Sequence, residues 1–143
     1  MPRTCTRFHA ACLLLLLIGG VLLPSLSRAT IGQVTLTWSD SAPAGRAVQT
    51  DIYYPADTAG SGVPVAGAPG VSYPVVVFGQ GFLMTVSAYA NIWQALMPAG
   101  YVVVLPRTEG SLFPNHQEFS LDLAFAGRML VAAGADPGSL FFE

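Results

Sequence analysis

Lysine is absent from this sequence, and charge of either sign is scarce: six arginines and eight acids make up the charged 10% of 143 residues. Three of those arginines (Arg3, Arg7, Arg28) lie within the first 28 residues, so from Thr30 onward eight acids face three arginines, a formal balance of −5. Neutralising phosphates takes a basic patch, and holding an acidic lipid surface takes a polybasic run. Neither exists here, which excludes nucleic acid and an electrostatic membrane anchor as partners. Cysteine occurs only as Cys5 and Cys12, and histidine only as His9 and His116. Beyond residue 29 there is no thiol to form a disulfide, so stability there must come from core packing. One histidine without cysteine is too few ligands for zinc, and no metal or other cofactor is expected. Disorder is excluded in turn, because 52% of the residues are hydrophobic.

The first 29 residues read as an address. Arg3 and Arg7 supply a positive start, residues 10–23 an apolar run, and Ser27-Arg28-Ala29 small residues at both ends of a triplet. That is the three-part pattern of a secretory signal peptide, with cleavage expected after Ala29 and a secreted or periplasmic product. The run is shorter than the roughly 18 to 20 residues needed to cross a bilayer, so no stable membrane span is expected after cleavage. Residues 30–143 are then one domain at most.

Along that stretch Val34-Thr35-Leu36-Thr37-Trp38 alternates and is rich in β-formers, and residues 47–54 form a second strand stopped by Pro55. Residues 55–74, rich in Gly, Pro, Ala and Ser, read as a mobile loop. Pro74-Val75-Val76-Val77-Phe78 and Tyr101-Val102-Val103-Val104-Leu105 are continuous apolar runs, the signature of strands buried on both faces. Between them Tyr89, Ile92, Trp93, Leu96 and Met97 recur at helical spacing, and Gly100 follows as a stop. A second helix over 118–134 carries Phe119, Leu123, Ala126 and Leu130 in one row. The order β-β-β-α-β-α predicts an α/β fold with a mostly parallel sheet and helices on both faces.

Tyr53-Tyr54-Pro55-Ala56, Pro74 through Phe82, and the Tyr89, Leu96 and Ala99-Gly100-Tyr101-Val102-Val103-Val104 segment resemble the N-terminal half of an α/β-hydrolase. The resemblance is to the branch of bacterial cutinases and polyester hydrolases, chlorophyllases and platelet-activating-factor acetylhydrolases. It implies a serine ester hydrolase, with an ester or lipid-like substrate. It also implies that the third strand lies between the fourth and the nucleophile strand. In such a fold the turn after the third strand gives one N–H to the oxygen that gains charge during acyl transfer, and loss of one such donor costs about 10² to 10³ in rate. By match to the family that donor is the backbone N–H of Phe82, with Gly81 allowing the turn and Met84 lining the cleft; Gln80 stands where many relatives have His or Pro.

No serine after residue 29 has glycines both two before and two after it, so the Gly-x-Ser-x-Gly elbow is missing. The expectation is an N-terminal fragment that supplies an oxyanion-hole turn, contains no catalytic residue and has no turnover of its own. His116 and Asp122 are expected at an exposed helix start and on a solvent-facing helix side, with Arg107 and Glu109 as surface residues near the cleft edge. Two alternatives remain open. One is a non-catalytic secreted α/β binding module. The other is an unrelated nucleotide-binding α/β fold: Gly79-Gln80-Gly81 opens like a dinucleotide fingerprint, but its third glycine would fall on Met84.

Overall fold

The computed structural model describes residues 30–41, 45–67, 70–81, 83–109 and 112–142. The expected signal peptide over 1–29 lies outside the described residues. Five strands form one open, mixed sheet with two helices, an α/β class of architecture. The elements are β1 (Thr30–Asp40), β2 (Arg46–Ala56), β3 (Gly60–Ser61), β4 (Val75–Val77), α1 (Ala90–Leu96), β5 (Val102–Pro106) and α2 (His116–Gly134), with single turns of 3-10 helix at Val86–Tyr89 and Met97–Ala99. The strand order is β3-β1-β2-β5-β4.

The sheet corrects the expectation of mostly parallel strands. β1 and β2 pair antiparallel along their whole length, from Thr30↔Ala56 to Asp40↔Arg46, and β2 pairs antiparallel with β5. A link as short as residues 41–45 can only fold the chain back on itself, since a parallel return needs a crossover of about a dozen residues or more. Parallel pairing is confined to β4 with β5, whose connection holds α1, and to the two-residue β3 against β1.

β2 also runs through Pro55 instead of stopping there. The Pro55 carbonyl accepts from the Ala66 N–H at 2.8 Å, so that edge of the residue faces the 65–66 segment, and the missing proline N–H removes no bond to β1. The segment expected as a mobile loop is tied down in several places. The Tyr54 hydroxyl donates to the Val63 carbonyl at 2.7 Å, the Tyr73 hydroxyl to the Ala66 carbonyl at 2.8 Å, and β3 sits on β1.

Neighbouring residues of a strand face opposite ways. Tyr53 stacks on Trp93 of α1, with ring centroids 4.3 Å apart, while Tyr54 meets Phe141, beyond α2, edge-on at 5.2 Å. α1 therefore covers the Tyr53 face, and the segment after α2 packs against the Tyr54 face. Ile52, Tyr54, Met97 and the whole of β5 form the core. The unbroken apolar run reads correctly for β5, buried along its full length between β2 and β4. The same reading fails for β4. It is an edge strand paired only with β5 among the described residues, and Val75 is 37% exposed.

α2 begins where Asn115 caps it, its side-chain oxygen accepting from the N–H groups of Gln117 and Glu118 at 3.2 Å each. Gly100 ends the α1 segment in the left-handed conformation (φ 81°) that glycine adopts without steric penalty.

Candidate functional site

In open α/β sheets ligands gather outside the carboxyl ends of the strands. At that end of β4 and β5 lies a cleft of about 390 Å³, lined by Asp51, Tyr53, Gln80, the 83–87 segment and Arg107. β2 runs opposite to β5 and brings Asp51 to the same end, opposite Leu105 in register. The Gln80 side-chain amide donates to the Thr108 carbonyl at 3.1 Å, tying the exit of β4 to that of β5.

The floor of the cleft is an ion pair. Arg107 Nε donates to Asp51 Oδ2 at 2.7 Å, and the Thr35 hydroxyl donates to Asp51 Oδ1 at 2.7 Å. The Asp51 side chain is only 5% exposed while that of Arg107 is 48% exposed, so the carboxylate is held and the guanidinium reaches solvent. The Arg107 backbone N–H is fixed as well, donating to the Gln49 carbonyl at 2.8 Å. Tyr53 closes one side. Burial, and after it the Asp51 carboxylate, pushes its phenol above the ordinary value near 10, with Arg107 pulling the other way.

Leu83 and Met84 form part of the rim. The Met84 N–H donates to the Gly81 carbonyl at 3.0 Å, and Leu83 sits at φ 56°. A side-chain-bearing residue pays roughly 1–2 kcal/mol for this left-handed backbone. Leu83 and Glu109 are the two non-glycine residues with positive φ among the described residues. Each follows the carboxyl end of a parallel strand, and strain of this kind clusters at binding and catalytic sites. Phe82, the expected oxyanion donor, lies outside the described residues. A Cβ at Gly81 would come 2.7 Å from the Tyr89 hydroxyl, to which the Gly81 N–H donates at 2.8 Å, so a larger residue would displace that hydroxyl. Met84 lines the cleft and is 43% exposed.

A second charged cluster stands beside the site. Arg46, at the start of β2, pairs with Asp122, with Glu118 at 2.5 Å and with Glu109 at 3.3 Å. Asp122 is 1% exposed, which corrects its expected place on a solvent-facing side. The helix turn that carries it lies against the start of β2, where Arg46 supplies the counter-charge. The hydrogen bond with Asp122, opposed by burial and helped by the surrounding carboxylates, raises Arg46 above the ordinary guanidinium range, so it stays charged. Glu109 also accepts from the Asn115 N–H at 2.6 Å, joining the exit of β5 to the start of α2. His116 is the exposed first residue of α2.

Asp51 and Arg107 come together only in the folded chain, 56 residues apart. One signal was available, an aspartate set directly before the Ile52-Tyr53-Tyr54 strand core, where an unpaired charge would be costly. Among the described residues no group of acids, histidines and cysteines is arranged to hold a metal, and no helix is long and apolar enough to cross a membrane. No protein-family model, curated protein or solved structure matches this chain.

Proposed function

We propose that this chain supplies the acyl-binding cleft and oxyanion turn of an exported serine ester hydrolase. The observation that carries the reading is Leu83, held at φ 56° beyond the carboxyl end of β4, which with Met84 lines a cleft with both apolar and polar walls. The order β1-β2-β5-β4 supports it too, because it leaves the strand that leads into the turn with one side free for a further strand. In this chemistry a serine oxygen attacks the ester carbonyl, the alcohol leaves, and water releases the acid from the acyl-enzyme. No serine after residue 29 stands in a Gly-x-Ser-x-Gly context, so the attacking serine would come from sequence outside these 143 residues.

Translation of the source DNA past the codon for Glu143 tests the proposal. A further strand followed by Gly-x-Ser-x-Gly is the expected result. A stop codon at that point in independent isolates would overturn it, as would stoichiometric labelling of this chain by a fluorophosphonate.

A further inference from the structure

The cleft holds a cation whose bonding capacity is only partly used among the described residues. Arg107 gives its Nε–H to Asp51. A guanidinium carries five N–H donors in a rigid fork, and the end-on pair of terminal NH₂ groups matches the two oxygens of a carboxylate. Those terminal groups belong to a side chain that is 48% exposed and lines the cleft. Asp51 and Thr35 fix the near edge of the fork, so little side-chain freedom remains to be lost on binding. Leu83, Met84 and Val86 supply apolar surface in the same 390 Å³.

We infer that this cleft binds a small carboxylate with a short apolar tail, the carboxylate docking end-on to Arg107 and the tail lying against Leu83 and Met84. Asp51 offsets the charge of Arg107, so recognition comes from the paired hydrogen bonds more than from net charge. Affinity is correspondingly modest, with a Kd on the order of 1 mM. The binding requires the cleft but not ester hydrolysis. A carboxylate of this kind reaches the site either as a free acid or as the acid group of a larger ester.

The test is titration of the full chain with sodium butyrate, monomethyl succinate and butyramide, followed by the Arg107 Nε–H and Trp93 indole signals in nitrogen-15 NMR spectra. Both anions are expected to shift these signals saturably and butyramide to leave them unchanged. A stronger shift from butyrate marks a bare acid as the ligand, and one from monomethyl succinate an acid-bearing ester. Arg107→Gln should weaken butyrate at least about tenfold, the loss of a charge-assisted pair. Should that variant fail to fold, Met84→Glu decides. It lies on the exposed rim, and its new charge beside the bound carboxylate should weaken butyrate to a similar degree. Equal binding of butyrate and butyramide, no saturable shift with either anion, or butyrate binding unchanged in either variant would overturn the inference. A serine elbow found downstream alongside such a failure would leave the hydrolase reading intact and remove only the carboxylate.

Discussion

Replacing Arg46 with methionine asks how far the cluster beside the cleft depends on one cation. Among the described residues Arg46 is the single positive partner of three carboxylates, and Asp122 is the buried one, at 1% exposure. Its second oxygen, Oδ2, has no hydrogen-bond partner among the described residues, so removing Arg46 strips the group of its pairing there. Breaking a buried pair by deleting one member costs about 3–5 kcal/mol. The bonds lost to Glu118, which is 41% exposed, add little.

The expected loss is therefore about 3 kcal/mol at pH 7. In urea unfolding of the full chain, followed by Trp38 and Trp93 fluorescence, the midpoint should fall by more than about 1 M with little change in slope. Arg46→Met combined with Asp122→Leu should recover most of the loss, since a buried pair can be replaced by apolar groups at small cost. It also supplies the measurement if the single variant does not fold. A deficit below about 1 kcal/mol would show that Asp122 does not depend on Arg46.

Two further outcomes rest on the same geometry. Leu83→Gly should stabilise the chain by up to about 1 kcal/mol in urea unfolding, because relief of the left-handed backbone exceeds the entropy glycine adds to the unfolded chain; a loss of stability would mean that the half-exposed leucine packs more than it strains. Burial raises both the Tyr53 and Tyr54 phenols above their ordinary value. A raised folded value means full stability below about pH 10, lost as pH climbs through the folded values. Tyr54→Phe should flatten part of that alkaline decline, and a profile identical to that of the parent would count against a buried neutral Tyr54.

Much of the architecture could be read locally. Alternation marked β1, the unbroken apolar run marked β5 as buried on both faces, and the helical stripe through Trp93 with Gly100 behind it marked the α1 segment. These succeed because periodicity and backbone freedom act over a few neighbouring residues. Val75-Val76-Val77 shows the limit. As a sequence it is the same string as Val102-Val103-Val104, yet one forms an edge and the other an interior strand of the sheet. No local pattern records which strand acquires two neighbours. Pro55 shows the same limit, since whether a proline ends a strand depends on which way its missing N–H would have faced.

The sequence by itself determined the chemistry that was excluded — no basic surface, no thiol beyond residue 29, no serine elbow — and the class of fold, because those follow from composition and short-range spacing. Tertiary structure alone decided that Asp122 is buried against Arg46, and that Asp51 steadies Arg107 at the floor of a cleft. These pairs join elements 56 to 76 residues apart, and a charge settles in a protein interior only where the fold brings its counter-charge.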